Sequence, residues 1–272
     1  MKKFIKIALA CSVFCAPSIL GAQKYFSGHN EFGLSLGVSN YFGDFSQSFN
    51  LPHFKSAAGV YHKYNFSRFF TLRNQVSFLS IEGSSKDVKG LAHQNLSFKS
   101  KIYEFGSMVE CNFHPFGTNT NDGKATPYLL LGVSAFWFNP YRLENDDINL
   151  RSIRTEQQKR SYSQLQPAIP IGLGIKTMIN SKKNAGALIL GFEAVFRKIF
   201  TDYLDDTKSE YGDFATMTRD QGIGAAEYGQ AQVLENGPKM AKGTMRGDTH
   251  LKDWYYFIGL NLSYRLTPQV CR

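Results

Sequence analysis

The sequence predicts an all-β fold, an antiparallel transmembrane β-barrel of outer-membrane type with eight strands. Three observations predict it. Period-two alternation of apolar and polar residues recurs along the chain, while long amphipathic helical patterns do not. Most of the alternating stretches run 9–15 residues, long enough to cross a bilayer at a tilt, whereas strands of soluble sheets average about five or six residues. The links between stretches alternate short and long, the arrangement of barrels with short periplasmic turns and longer outside loops.

The strands follow in order. EFGLSLGVS (31–39) sets Phe32, Leu34, Leu36 and Val38 against Gly33, Ser35, Gly37 and Ser39. A weaker second strand is 54–64, and a third, 69–80, opposes Phe70, Leu72, Val76 and Phe78 to Arg73, Gln75 and Ser77. In 99–113, Tyr103, Phe105, Val109, Cys111 and Phe113 share a side, and Glu104, Gly106, Met108 and Glu110 the other. The fifth strand is 126–138. The sixth, 166–178, opposes Ile169, Ile171, Leu173 and Ile175 to Pro170, Gly172, Gly174 and Lys176. The seventh is 187–199. The eighth, 253–266, carries Trp254, Tyr256, Ile258, Leu260, Leu262 and Tyr264 on one face. The long links are 40–53, 81–98, 139–165 and 200–252, and the last of these reads as mobile over 212–252, where Gly, Ala and Asp are frequent.

Residues 1–22 read as a secretory signal peptide: Lys2, Lys3 and Lys6 precede a short apolar run, and Gly21-Ala22 supplies the small residues for cleavage before Gln23. Neither Cys11 nor Cys15 sits in a lipoprotein context. Residues 23–272 then form a single barrel domain. Loss of the three leader lysines takes the formal charge from +9 to +6. This charge is spread, with no dense Lys/Arg run, which argues against nucleic acid and suits outer-membrane lipid or another anionic surface. Cys111 and Cys271 permit one bridge, too few for a disulfide scaffold. Past the leader, no apolar run of 18 or more residues exists, which excludes a helical membrane protein.

A bilayer offers no hydrogen-bond partners, so the sheet must close, with its apolar face to lipid and its polar face inward. That puts Arg73, Glu104, Glu110, Glu193, Arg197 and Arg265 in the lumen as candidate ion-pair partners. Glycines on the same face, among them Gly172 and Gly174, leave room for Arg and Tyr side chains. A soluble barrel also alternates, but its wet face carries more Lys and Glu than these Gly- and Ser-rich faces. Aromatics near strand ends (Phe69, Phe70, Tyr128, Trp137, Phe138, Trp254 and Tyr255) suit two interfacial girdles.

Catalytic and metal chemistry find little support. There is no phosphate-binding glycine loop, HExxH, CxxC or serine elbow. The six histidines are scattered and read as loop or surface residues. Glu104 and Glu110 lie about 20 Å apart on one strand, too far to act on one bond. Asp202, Asp205 and Asp206 suit a hard cation by chemistry, but their spacing matches no calcium loop, and a loop-packing role is the stronger reading. The sequence therefore points to a non-enzymatic protein with no cofactor and no metal.

Several stretches carry a family likeness: SNYFGDF (39–45), VECNFHPF (109–116), TPYLLLGVSAFWFNP (126–140), RTEQQ (154–158), IPIGLGIK (169–176), FRKIFTDYLDDTKSEY (196–211), and RGD followed by DWYYFIGLNLSYRL. Together they resemble the PorG family, the outer-membrane barrel component of the Bacteroidota type IX secretion system. The residues that carry the likeness most specifically are Arg197, Thr201, Asp202, Tyr203, Asp205 and Asp206, with Thr155, Glu156, Asn139, Pro140, Arg246, Gly247 and Asp248. The resemblance implies an outer-membrane anchor in protein transport, contacting a periplasmic ring lipoprotein and its partner subunit, in machinery that also serves gliding motility. Lys182 and Lys183, in a short turn, are candidates for meeting an acidic partner. The alternative is a general small barrel that binds an envelope or extracellular ligand through loops 139–165 and 200–252.

Overall fold

The computed structural model describes residues 28–46, 53–117, 123–143, 145–182, 186–229, 241–247 and 253–266. The signal-peptide region, Lys183, Asp248, His250 and Cys271 lie outside them. The strands are β1 (His29–Phe42), β2 (Lys55–Asn65), β3 (Phe70–Ser84), β4 (Ser97–Asn112), β5 (Ala125–Arg142), β6 (Asn145–Asn149), β7 (Leu165–Lys182), β8 (Gly186–Ile199) and β9 (Trp254–Arg265). All pair antiparallel in the order β4-β3-β2-β1-β9-β8-β7-β5-β6, and β4 also pairs with β5. Eight long strands therefore close into a barrel, an integral outer-membrane architecture. The short β6, which the sequence reading lacks, hangs on the outer end of β5 through Tyr141↔Asn149 and Arg142↔Asn145.

Closure turns the alternation into two surfaces. Leu36 and Leu173 point outward and are 63 % and 61 % exposed, with Phe32, Phe105, Leu131, Val133 and Leu260 on the same surface. A belt this continuous belongs in lipid, since soluble monomers rarely expose such patches. The inward partners, among them Glu31, Lys63, Arg73, Glu110 and Arg265, are buried.

The links 43–54, 85–96, 143–164 and 200–253 leave one end of the barrel, the last two being the longest of all, and the connections at 66–69, 113–124 and 183–185 leave the other. In outer-membrane barrels the longer loops are as a rule extracellular, and on that ground the first end is called the outer end and the second the periplasmic end. Strands β3, β5 and β7 each run about four residues past the ends set by apolar alternation, because the neighbouring backbone still offers ladder hydrogen bonds beyond the lipid.

Three expectations are corrected. Tyr128, Phe138 and Tyr255 do not join the girdles: each has the parity of the inward face and is buried. The link expected as loop over 212–252 contains, among its described residues, α2 (Phe214–Gln221), whose Met217 is fully buried, and α3 (Ile223–Gly229). His29 is buried in the periplasmic end of the barrel rather than lying on the surface.

Candidate functional site: a filled lumen beneath an outer cap

Midway down the barrel, Arg73 of β3 donates to Glu193 of β8 through two nitrogens, at 2.7 and 3.0 Å. Tyr128 donates to the same carboxylate at 2.7 Å. Glu110 gathers Lys63 at 2.7 Å, Lys176 at 2.8 Å and Arg73 at 3.4 Å. Toward the outer end Arg197 donates to both oxygens of Glu104, at 3.2 and 3.0 Å, and Tyr255 also donates there. Toward the periplasm Arg265 donates to Glu31 at 2.7 Å, and Asn65 donates to it at 2.9 Å. Charges desolvated to this degree persist only when paired and hydrogen-bonded. Small residues make the space: a Cβ on Gly174 would lie 2.6 Å from the Tyr128 ring. Phe116, from the 113–124 link, lies under Lys176 and Arg265 with its ring centre 5.3 and 5.0 Å away. The lumen is thus a packed electrostatic core rather than a water-filled channel.

Sequence reasoning missed Glu31, Lys63 and Lys176 as network members. Glu31 and Lys63 sit near strand ends, where the alternating pattern is weakest. Lys176 was assigned to the polar face, but nothing in the sequence names Glu110 as its partner.

Above the network the barrel is stoppered by apolar side chains. Phe45, Phe98, Phe136, Phe138, Ile199 and Leu204 belong to one buried cluster that also takes in Leu150 of α1 (Leu150–Ile153) and Tyr211. The outer loops are fastened over it by polar contacts, and most of the motif residues converge here. Asp206, held at φ +64°, receives hydrogen bonds from Thr155 and, at 2.9 Å, from Tyr162. Arg246 donates to Thr155 at 3.0 Å and to the Asp206 carbonyl, and lies 3.4 Å from Glu156. Glu156 accepts from the Lys208 and Ser209 amides at 2.7 and 3.0 Å. Tyr162 stacks on Tyr203 with ring centres 4.6 Å apart. Gly247 passes so close that a Cβ would lie 2.6 Å from an Asp44 oxygen. Thr201 accepts from the Tyr203 amide at 3.2 Å.

Beside this knot Asp205 and Asp253 share the Tyr41 hydroxyl, the latter at 3.1 Å. Burial, with Asp44 nearby, pushes Asp205 up to about 8, and burial followed by Asp205 and Asp44 raises Asp253 well above the ordinary carboxylate range. Asp206 is held at about 6 by burial, against the pull of Arg246. Among the described residues no group of three or more His, Cys, Asp or Glu side chains is arranged to hold a metal ion. Arg197 stands apart from the cap, in the lumen. Asn139 and Pro140 lie on the outer extension of β5, and Asp202 is partly exposed at the cap's edge. Lys182 closes β7 at the periplasmic end.

An apolar wall, a filled lumen and a fastened outer mouth define a small outer-membrane β-barrel. The chain belongs to the family described as "Domain of unknown function (DUF6089)", whose model matches residues 11–221. No curated protein matches it in sequence. Among solved structures it is similar to Ail, the attachment invasion locus protein of Yersinia pestis, crystallised with the heparin analogue sucrose octasulfate (TM-score 0.40, 10 % identity, covering 89 % of this chain and 100 % of that one). It is also similar to Neisserial surface protein A (0.40, 8 %, 87 % and 95 %) and to OprG from Pseudomonas aeruginosa (0.35, 12 %, 87 % and 93 %). These likenesses are of architecture only.

Proposed function

We propose that this protein is a binding barrel: it holds a rigid cap at the cell surface and engages an envelope or extracellular ligand through the loops that build the cap. The observation that carries the reading is the Arg246–Asp206–Thr155–Glu156 knot, which joins the two longest loops over a sealed lumen. A conduit has no use for a fastened mouth, whereas a recognition surface gains from ordering before the ligand arrives. Above the knot, α2 and α3 turn Asp220 and Ile223 to solvent, the latter 62 % exposed.

A second reading is the type IX secretion anchor, contacting a periplasmic ring lipoprotein and its partner subunit. It is supported by the spatial convergence of TDYLDD, RTEQQ and Arg246-Gly247, stretches far apart in sequence. On this reading the working surface is periplasmic, around Lys124, Lys182 and Lys183.

One experiment separates the two. A photo-crosslinking amino acid is introduced at Ile223 or at Lys124 in living cells, and the adducts are identified by mass spectrometry. Adducts from Ile223 alone support the surface-binding reading. Adducts from Lys124 to a ring lipoprotein support the anchor and count against the first reading.

A further inference from the structure

Two depressions on the outer wall, near the extracellular end, form one groove. The lower, about 420 Å³, lies where Ser56 and Ala58 of β2 are short between Leu36, Phe78 and Tyr103. The upper, about 610 Å³, is bordered by Lys55, Lys99, Asn139 and Tyr141. Ser80, Lys101 and Tyr103 border both, so the two adjoin and set an apolar floor beside a basic head.

Its height in the membrane follows from register. Phe78, Tyr103 and Trp137 form an aromatic row across β3, β4 and β5, with ring centres 5.7 and 5.6 Å apart. Such rows sit at the interface between hydrocarbon and headgroups. The next outward row is Ser80, Lys101 and Asn139, and the one beyond it is Glu82, Lys99 and Tyr141. Each row stands about 7 Å further along the strands, which brings the lysines level with the headgroups of the outer leaflet.

Two of the polar residues here, Lys101 and Asn139, are only partly used. Lys55 is bound to Glu82 at 2.8 Å, and Lys99 donates to the Leu143 carbonyl at 3.2 Å. Lys101 is exposed and makes no ion pair among the described residues. Asn139 is 92 % buried; its amide nitrogen is committed to the Tyr141 hydroxyl at 2.9 Å, while its Oδ1 has no hydrogen-bond partner among the described residues. A buried acceptor without a donor costs stability, and a ligand hydroxyl would repair that.

We propose that this groove binds a phosphorylated glycolipid of the outer leaflet: an acyl chain over Ala58 and Phe78, a phosphate at Lys101 and Lys99, and a sugar hydroxyl at Asn139 Oδ1. The assignment is independent of what the cap or the periplasmic turns engage.

The test is native mass spectrometry of the full-length barrel in micelles containing diphosphoryl lipid A, compared with its dephosphorylated form and with inorganic phosphate as competitor. Each interfacial lysine is worth about fivefold in affinity for an anionic membrane component. The Lys99→Glu, Lys101→Glu double variant is therefore expected to lose tenfold or more of the bound lipid A. Ala58→Trp, which fills the apolar floor without touching a charge, is expected to lose it as well. Lys198→Glu, an exposed lysine on another part of the wall, serves as the control and retains binding. Migration shift on heating verifies that each variant is a folded barrel. Equal retention by folded double and wild-type proteins would overturn the proposal. So would equal binding of the dephosphorylated lipid, or displacement by inorganic phosphate alone.

Discussion

Arg73 and Glu193 clasp one another across the full width of the barrel. Their strands, β3 and β8, lie four steps apart whichever way the eight-membered ring is followed, yet two nitrogens of one reach two oxygens of the other at 2.7 and 3.0 Å. A fork across a diameter both ties opposite walls together and occupies the axis of the lumen.

Breaking the clasp from one side leaves a buried carboxylate without its main partner, which costs about 3–5 kcal/mol. Arg73→Met is therefore expected to lower the urea unfolding midpoint in micelles sharply. Arg73→Met with Glu193→Met leaves no orphan charge at that pair and is expected to recover part of the loss. Tryptophan fluorescence against urea measures both.

A filled axis conducts poorly. In planar bilayers the wild-type protein is expected to give no steady current steps, and the Arg73→Gly, Glu193→Gly double variant to give a leak. Well-defined steps from the wild-type barrel would contradict the closed lumen.

The cap depends on Arg246, which is buried among Asp206, Thr155 and Glu156. Arg246→Ala strands two carboxylates at the mouth but touches no barrel strand. Limited proteolysis is expected to cut the 200–253 link at least about tenfold faster, while heat-modifiable migration of the barrel persists.

Cap stability is expected to fall as pH rises. Asp205 at about 8 and Asp206 at about 6 keep protons in the folded cap that the unfolded loop has already released. Their contribution is fully present in acid, below the ordinary aspartate value of 3.8, and is lost as pH rises through about 6 and then 8. The protection factors of the Thr207 and Lys208 amides, from which the intrinsic rise of exchange with pH is divided out, are expected to fall over that window and to change less in Asp205→Asn.

The wall was legible in the sequence because one physical rule, apolar out and polar in at period two, acts on every strand. Hence Phe32, Leu34 and Leu36 reveal β1, and Arg73 and Glu110 reveal the polar face. Partner choice was not legible, since Arg73 meets Glu193 only through the ring's curvature, which no single strand encodes. Tyr128 and Tyr255 were misread because an aromatic near a strand end suits a girdle or a lumen equally, and only parity decides. The helices over 214–229 escaped because they are short, and the residues they bury, Met217 on the first and the small Ala225 and Ala226 on the second, make no periodic apolar face.

Binding through the cap requires that the fastened end of the barrel face the outside. Single cysteines at Asp220, exposed on the cap, and at Lys124, exposed in the opposite turn, test it most directly in a Cys111→Ser, Cys271→Ser background. A membrane-impermeant maleimide is applied to intact cells. Asp220→Cys is expected to be labelled at once and Lys124→Cys only after permeabilisation; the reverse pattern would place the cap in the periplasm and end the surface-binding reading.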